Sequence, residues 1–356
     1  MGIRAFFKTK QYDINGATLE ARPITGAANQ TILQAAESQG IEMPHSCRVG
    51  GCGACKCKLK SGKIKALTEA AYVLTQQELQ EGYILPCQSQ PRSELVLEVA
   101  ASSNAGNHLL PATLHNIESL THSLFKVTLI LQQSLSFRAG QFVEVSVPGF
   151  EHPRCYSLIN GPQDVQDKID FFIQQCPNGS LSNWLTDSKN LNTQLNISQA
   201  QGSCTLDMAK QSGPLFLAST GSGLGPILSL LKQGVHSGND RCVHLFIGAK
   251  TQADIFFIKE LNSIQEKWIG EFHLHQVLSQ SDEIPSVLTG RIQNHLSTYL
   301  TPFDALTVDA FICGNPSMVE SACEEFKLFG LQINQLHMDK FVDQISNYPN
   351  KKIANS

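Results

Sequence analysis

Apolar and polar positions divide the chain into stretches with different periodicities. Between about residues 112 and 207, apolar and polar residues alternate in short runs such as LFKVTLIL and QFVEVSVP, separated by Gly and Pro. This pattern predicts an antiparallel β-barrel. From residue 214 onward, apolar strands such as PLFLAST and CVHLFIG alternate with helical segments such as ILSLLKQG, ADIFFIKELNSIQEKW and PSMVESACEEFKLFG. That alternation predicts a parallel sheet flanked by helices.

A segment of small and polar residues, AASSNAGNHLLP, separates these stretches from the first hundred residues and is typical of a linker. The segment predicts a multidomain chain that combines α+β and α/β parts. The predicted divisions are a first domain at 1–100, a linker at 101–110, the barrel at 111–210, the parallel α/β domain at 211–341 and a polar tail at 342–356.

Composition narrows the class of protein. The chain has 356 residues, of which 42% are hydrophobic and 16% charged, so a largely disordered chain is excluded. The net charge of -4 gives no indication of a nucleic-acid partner. The longest apolar run, Leu215–Leu231, is broken by Ser, Thr and Gly, and the N-terminal MGIRAFFKTKQ lacks the apolar segment of a signal peptide. We therefore expect no transmembrane segment and a cytoplasmic location.

The spacing of the cysteines carries the strongest chemical signal. The chain has 11 Cys, and three of them are separated by four and then two residues, with a fourth after 31 intervening residues. This is the plant-type [2Fe-2S] spacing, whereas buried apolar thiols are the ordinary alternative for any single Cys. The four predicted metal ligands are Cys47, Cys52, Cys55 and Cys87.

The glycines between these cysteines support the same interpretation. Gly50, Gly51 and Gly53 allow a loop to wrap a cluster with its backbone N–H groups turned toward sulfur. Cys57 is additional to the four, and its position two residues after Cys55 predicts a core side chain that faces away from the cluster.

With these motifs, residues 1–100 resemble a plant-type ferredoxin, which implies a β-grasp fold. Free ferredoxins of this type are strongly acidic, whereas this segment has 11 Lys and Arg against 9 Asp and Glu. Basic residues surround the cysteine loop, and either a solvated surface or a docking site for an acidic partner explains them. These residues are Arg48, Lys56, Lys58 and Lys60.

Two motifs in the barrel suit a phosphate group and a ring system. RCYSLIN supplies an Arg fork for phosphate, a Tyr plane for a ring system and a Ser hydroxyl, although an edge-strand Arg and a packed Tyr are common. GSLSNWL opens a predicted helix whose free N–H groups suit a pyrophosphate, with an ordinary Ser-capped helix as the alternative. Together they resemble the FAD-binding barrel of the ferredoxin reductase family. The resemblance implies that Arg154, Tyr156 and Ser157 hold the isoalloxazine, with Ser157 at N5, and that Gly179 and Ser182 hold the pyrophosphate.

Two further motifs resemble the nicotinamide-binding domain of the same reductases. TGSGLGP is a Gly-rich turn after a strand, and CGNP ends another strand immediately before a helix. The resemblance places Cys313 beside the nicotinamide as a catalytic residue, and a buried strand-end Cys is the alternative. It also implies cofactor contacts from Thr220, Gly221, Gly223, Gly225, Pro226, Gly314, Asn315, Pro316 and Phe341. Asp339, in HMDKF, stands where related reductases often have Glu.

The sequence around VHLFIGAKTQAD bears on the choice of nucleotide. Lys250 follows this strand and Asp254 comes four residues later; the segment resembles NADH-type reductases, although Lys250 could reach a 2′-phosphate. We therefore predict NADH, with NADPH as the alternative. His273 and His275 alternate on one predicted strand without a third ligand nearby in the sequence, so we expect them to be exposed to solvent.

Residues 1 to about 341 resemble the reductase components of bacterial multicomponent oxygenases, such as those for phenol, toluene, methane and benzoate. The resemblance implies that electrons pass from NADH through FAD and a [2Fe-2S] cluster to a partner protein, the terminal oxygenase component. One alternative is the same electron transfer to a desaturase or dehydratase partner. Another is a redox carrier or sensor whose reductase half is not functional.

Overall fold

The structure is a computed structural model that describes residues 10–16, 23–45, 48, 50–51, 53–70, 73–74, 76–99, 109–150, 153–164, 167–177, 179–280 and 284–341. The chain forms two compact units, residues 1–108 and residues 109–356. Among the described residues, no helix has the length and apolarity needed to cross a membrane.

The first unit is a mixed sheet with a helix packed against it. Its five-stranded sheet has the order β2-β1-β7-β3-β5, and β4 pairs with β6 in a separate ribbon. Strands β1 and β7 are parallel, whereas their outer neighbours are antiparallel. The strands are β1 Gln11–Gly16, β2 Ile24–Ala27, β3 Cys57–Ser61, β4 Ile64–Ala66, β5 Tyr83–Ile84, β6 Ser89–Pro91 and β7 Leu95–Glu98, and the helices are α1 Ile32–Ser38 and α2 Gln76–Gln80.

Helix α1 begins at a capping box. The Thr31 side chain accepts from the backbone N–H of Gln34, and the Gln34 side chain accepts from the N–H of Thr31. Ile32 on this helix and Ile14 and Ile24 on the sheet are completely buried, so the helix covers one face of the sheet. This is the β-grasp arrangement that the sequence predicts.

The second unit begins with an antiparallel barrel. Its strands follow the order β11-β10-β13-β8-β9-β12. An antiparallel bridge between Leu158, just after β11, and Phe171 on β12 joins the two ends of this order, so the sheet closes on itself. The strands are β8 Leu110–Ser119, β9 Leu124–Leu131, β10 Phe142–Ser146, β11 Arg154–Ser157, β12 Lys168–Gln174 and β13 Gln194–Ile197, with the short helix α3 Leu181–Leu185.

A six-stranded parallel sheet follows, as predicted, with the order β17-β16-β15-β14-β18-β19. From β14 the chain builds outward in one direction through β15 to β17 and then returns to the other side of β14 at β18. The crevice between β14 and β18 is therefore the point where a parallel sheet binds ligands at its carboxyl edge. The strands are β14 Leu215–Thr220, β15 Val243–Ala249, β16 Phe272–Leu278, β17 Leu288–Thr289, β18 Asp309–Gly314 and β19 Leu336–Lys340, and the helices are α4 Leu224–His236, α5 Ile258–Lys267, α6 Gln293–Leu300 and α7 Pro316–Phe329.

One predicted helix is shorter than the sequence suggests. ADIFFIKELNSIQEKW has apolar residues at helical spacing, but α5 begins only at Ile258. Phe257 before it has a left-handed backbone with φ of 62°, and Phe256 and Phe257 each make an edge-on contact with Phe172 of the barrel. The helix therefore starts late at the place where Phe256 and Phe257 pack against the barrel, because tertiary contacts override local helix propensity.

The barrel and the parallel sheet share one hydrophobic core. Ala139, Ile159 and Phe172 from the barrel lie in the same buried cluster as α4 and β14. The buried Ser229 hydroxyl of α4 donates to the carbonyl of Asn160 at 2.5 Å and accepts from a backbone N–H at Gly140 at 3.3 Å. The two halves of the second unit are thus joined by apolar packing and buried hydrogen bonds.

Candidate functional site

Two of the four predicted cluster ligands can be described. The Sγ atoms of Cys55 and Cys87 lie 3.3 Å apart, and both residues are 4% exposed. Cys87 lies in a 3₁₀ turn, Pro86–Gln88, so the chain brings the two thiols together across 32 positions of sequence. They are close enough to ligate a single iron. Cys47 and Cys52 lie outside the described residues.

The backbone between the cysteines has the conformation that its glycines permit. Gly50 and Gly53 have φ of 77° and 70°, in the left-handed region. Gln88, which the sequence motif does not single out, donates from its side-chain amide to the carbonyl of Arg48 at 3.1 Å. A Cβ on Gly50 would come within 2.7 Å of the Gln88 side chain. Arg48 and Gly50 are thus held against the turn that carries Cys87.

Cys57 behaves as a core residue. It is completely buried in the hydrophobic core of the first unit. Burial, with a smaller contribution from the neighbouring Cys55, raises the pKa of the Cys57 thiol to about 12. A thiol with such a pKa stays protonated, which agrees with the core role predicted for it.

The basic residues around the loop are engaged with carboxylates of the same unit. These contacts favour the solvated-surface interpretation over a docking site for an acidic partner, because surface pairs of this kind already neutralise the positive charges. The pairs are Arg48 with Glu37 at 2.9 Å, Lys56 with Glu78, Lys58 with Glu81 at 3.6 Å and Lys60 with Glu98 at 3.0 Å.

The predicted flavin strand is β11. Arg154, Tyr156 and Ser157 are all half-buried on it, and it pairs with β10 next to the closing bridge of the barrel. The Tyr156 ring lies 5.9 Å from that of Phe171, and burial raises the pKa of its hydroxyl. The strand therefore offers an aromatic plane and polar side chains beside the closing bridge of the barrel.

The predicted pyrophosphate segment forms the start of helix α3. Gly179 precedes this helix and Ser182 lies in its first turn. Ser180 occupies the N-cap position but makes no capping hydrogen bond with its side chain, so the ordinary Ser-capped helix is not what forms here. A Cβ on Gly179 would approach the Ser182 hydroxyl to 2.5 Å.

The two predicted nucleotide motifs meet at the crevice between β14 and β18. The Thr220 hydroxyl accepts from the backbone N–H of Asn315 at 3.2 Å. Gly314 has φ of 136°, and a Cβ there would come within 2.5 Å of the Thr220 hydroxyl. A Cβ on Gly223 would overlap the carbonyl of Cys313. This close backbone approach fits the cradle that a dinucleotide needs.

Ser157 and Cys313, the two predicted catalytic residues, come together through Asp339. The Ser157 hydroxyl donates to Oδ2 of Asp339 at 3.3 Å, although the two residues are 182 positions apart. Asp339 on β19 is the register partner of Cys313 on β18. The barrel strand and the parallel sheet therefore face each other at this point.

Cys204 is a neighbour of Cys313 that sequence reasoning missed. A hydrogen bond to Cys204 and complete burial raise the pKa of the Cys313 thiol well above its ordinary value. Both effects favour the neutral thiol over the nucleophilic thiolate. No sequence signal marks Cys204, because it lies in an irregular segment after β13.

The remaining predicted contacts surround the same crevice. Gly221, with φ of 55°, begins the turn after β14, and Gly225 packs against Ile159 of the barrel. Phe341 donates its backbone N–H to the carbonyl of Gly314 at 2.8 Å. Lys250 is exposed just after β15, whereas the Asp254 carboxylate accepts from the backbone N–H and the hydroxyl of Thr251. Pro226 and Pro316 lie in the first turns of α4 and α7.

The two histidines of β16, His273 and His275, differ in their exposure to solvent. His273 keeps 45% of its side chain exposed, as predicted. The expectation of exposure is wrong for His275, because its ring lies 4.2 Å from that of Tyr299 on α6. Its Nε2 also lies 3.2 Å from Nδ1 of His244 on β15. The contact comes from a neighbouring strand, which the local sequence pattern does not reveal.

Three family models match successive parts of the chain. They are the 2Fe-2S iron-sulfur cluster binding domain at residues 17–92, the oxidoreductase FAD-binding domain at 111–205 and the oxidoreductase NAD-binding domain at 217–324. The order of these matches is that of the predicted ferredoxin, FAD-binding and nicotinamide-binding parts.

Similar proteins cover nearly the whole chain. The xylene/toluene monooxygenase electron transfer component XylA of Pseudomonas putida is 30% identical over 88% of this chain and 89% of its own length. The propane 2-monooxygenase reductase component of Gordonia sp. (strain TY-5) is 28% identical over 88% of this chain and 92% of its own. The crystal structure of the Amycolatopsis cytochrome P450 reductase GcoB superposes with a TM-score of 0.65 and 26% identity, covering 93% of this chain and 98% of that one.

Proposed function

Because the chain belongs to the family of reductase and electron transfer components that join a [2Fe-2S] ferredoxin domain to FAD- and NAD-binding oxidoreductase domains, we propose that it delivers electrons from NADH to the terminal component of a multicomponent oxygenase. The relatives named above are components of monooxygenase systems, which supports a partner of that class. Because NADH is a cytoplasmic reductant, the protein works in the cytoplasm.

The observation that carries the proposal is the contact between Ser157 and Asp339 at 3.3 Å. It joins the predicted flavin strand to the edge of the sheet that presents Cys313 and Gly314. A reductase needs this juxtaposition because hydride transfer requires the two rings in contact. A carrier or sensor with a non-functional reductase half would have no need of it.

The flavin would be held by the barrel. Arg154 supplies a cationic fork for phosphate, Tyr156 an aromatic face, and Ser157 a hydroxyl for N5. Gly179 and Ser182 would bind the pyrophosphate through backbone N–H groups and the hydroxyl. When bound, FAD accepts a hydride from the nicotinamide and releases its electrons one at a time to the [2Fe-2S] cluster.

The nicotinamide nucleotide would occupy the crevice after β14 and β18. Thr220 and Asn315 fix the two loops against each other, and Gly223 and Gly314 remove the side chains that would fill the crevice. Cys313, neutral and buried, would form part of the wall against which the nicotinamide stacks. Cys47, Cys52, Cys55 and Cys87 would ligate the iron cluster.

An anaerobic titration of the purified protein with NADH, and separately with NADPH, tests the proposal. We expect NADH to bleach the flavin absorbance and to raise the electron paramagnetic resonance signal of a reduced [2Fe-2S] cluster. Bleaching of the flavin without the cluster signal would overturn the electron route. A much stronger response to NADPH would reverse the choice of nucleotide.

The partner is tested by reconstitution. The purified protein is mixed with candidate terminal components encoded beside its own gene, and NADH-driven substrate oxidation is measured. Turnover with a diiron or Rieske oxygenase supports the proposal, whereas turnover only with a desaturase or dehydratase would assign the alternative partner.

A further inference from the structure

A group of potential metal ligands lies at the end of the parallel sheet opposite the nucleotide crevice. One ligand atom from each of Cys242, His244 and His273 lies within 4.8 Å of the other two. Cys242 immediately precedes β15 and His244 is its second residue, so the two side chains, two positions apart in extended chain, point to the same face. His273 on β16 is the register partner of His244, so the face continues across the strands.

We propose that Cys242, His244 and His273 form a binding site for a zinc-class metal ion. One thiolate and two imidazoles are a ligand set that Zn²⁺ favours over the hard cations, which prefer oxygen. Tetrahedral Zn²⁺ with such ligands places their donor atoms roughly 3.3 to 3.6 Å apart. Side-chain rotations that move the donor atoms by about an ångström are therefore enough to bring them to these distances.

The surroundings of the two imidazoles suit ligation. Nδ1 of His244 lies 3.2 Å from Nε2 of His275, and Nε2 of His273 lies 3.4 Å from a carboxylate oxygen of Glu271. Each contact uses one ring nitrogen and orients the ring, and the other nitrogen can bind a metal. Histidine ligands in metal sites are usually held in this way by a second partner.

The proposed site is open to solvent on one side, where a metal ion can enter and a fourth ligand can bind. His244 is 7% exposed and Cys242 half-buried, so one side of the site is dry. The His273 side chain is 45% exposed and that of Glu271 79%, so a metal ion can enter from solvent. A water molecule would complete four-fold coordination.

The site would act as a clamp between β15 and β16. It lies at the amino ends of these strands, whereas Lys250 and the nucleotide crevice lie at the carboxyl ends, roughly 20 Å away along β15. Occupancy should therefore stabilise the second unit without changing the rate at which NADH reduces the flavin.

The test uses the full-length holoprotein, treated with a mild chelator and assayed for iron and FAD, so that zinc at the iron cluster is recognised by loss of iron. Zn²⁺ is titrated by calorimetry, and the loaded protein is examined by zinc K-edge X-ray absorption. We expect about one Zn²⁺ per chain, with one sulfur at about 2.3 Å and nitrogens at about 2.0 to 2.1 Å. The thermal midpoint should rise, and the rate of flavin reduction by NADH should not change.

Three variants decide the assignment. Cys242→Ser and His273→Ala should each weaken Zn²⁺ binding by more than about tenfold and abolish the rise in thermal midpoint, with iron and FAD contents unchanged. His115→Ala removes an exposed histidine of the barrel and should bind as the parent does. Equal binding by all three variants, no stoichiometric binding by the parent, or binding only with loss of iron would overturn the proposal.

Discussion

The cysteine loop of the first unit and the crevice of the second are built in opposite ways. The loop takes three of its four predicted ligands from nine consecutive residues, 47–55, with the fourth at Cys87. The crevice joins Ser157 to Asp339 and Thr220 to Asn315, across 182 and 95 positions. A site of the first kind can be recognised in a sequence by spacing alone, whereas one of the second kind depends on the topology of a barrel and a sheet.

The largest expected effect is the loss of the iron cluster from the first unit while the flavin reaction of the second unit continues. Cys87→Ser removes one predicted ligand of the cluster, so we expect the protein to lose its two irons and the electron paramagnetic resonance signal. Reduction of cytochrome c by NADH should fall to the background of direct flavin reaction, whereas reduction of ferricyanide should remain. The matched control is Cys57→Ser, at a buried thiol that is not a predicted ligand, which should keep its iron. Loss of iron in both variants would contradict the assignment.

The next effect tests how closely the crevice is packed. Gly314→Ala puts a Cβ within 2.5 Å of the Thr220 hydroxyl at a φ of 136°. We expect the free energy of unfolding of the second unit to fall by about 2 kcal/mol, together with weaker NADH binding. Urea unfolding followed by circular dichroism, and the KM for NADH, measure these changes.

Gly290→Ala is the control, because this glycine also has a positive φ, of 102°, but its Cβ would meet nothing within 4 Å. It should cost only the backbone strain, about 1 kcal/mol, and leave the KM for NADH as it was. An equal loss in the two variants would show that packing at Thr220 contributes nothing.

A smaller effect concerns the contact between the barrel and the sheet. Ser157→Ala should slow reduction of the flavin by NADH about tenfold, which corresponds to about 1.4 kcal/mol in the barrier. Asp339→Asn keeps the size of the side chain and should slow the same step only about threefold. Stopped-flow absorbance measures the rate. Ser119→Ala, at an exposed hydroxyl of the barrel, should leave it unchanged; an unchanged rate in Ser157→Ala would remove that residue from the mechanism.

The smallest effect concerns the nucleotide. Lys250→Gln removes an exposed charge at the carboxyl end of β15. If it contacts the 2′-phosphate, kcat/KM for NADPH should fall about fivefold, as expected for an exposed ion pair of about 1 kcal/mol. The value for NADH should change less than about twofold, and Lys168→Gln on β12 should alter neither. A larger loss with NADH than with NADPH would contradict this role.

The contrast between local spacing and contacts of distant residues also explains which features could be predicted from the sequence. The barrel, the parallel sheet and the [2Fe-2S] assignment follow from periodicity and spacing, which are local properties. The predicted helix around Phe257 failed at its start because Phe172 of the barrel, far away in sequence, packs against the two phenylalanines there. Local propensity contains no information about such a contact.

The sequence also did not predict the side chains that contact the cysteine loop and the crevice residues. The side-chain amide of Gln88 donates to the carbonyl of Arg48, and the Cys204 thiol is hydrogen-bonded to the Cys313 thiol. Neither Gln88 nor Cys204 belongs to a sequence motif. His275 was expected in solvent because its neighbours on β16 gave no partner, whereas His244 of the adjacent strand meets it. Cross-strand register supplies these contacts, and it is fixed only when the whole sheet forms.

The Ser229 hydroxyl between Gly140 and Asn160 has a consequence for engineering. Exchange of barrels between related reductases is an obvious way to combine flavin and nucleotide properties, with the crossover placed near residue 210. In this chain the halves meet through a buried core that includes Ile159 and Phe172 and through this hydroxyl. A hybrid must therefore inherit helix α4 together with its barrel, because the crossover that looks natural in sequence cuts through the interior of one folding unit.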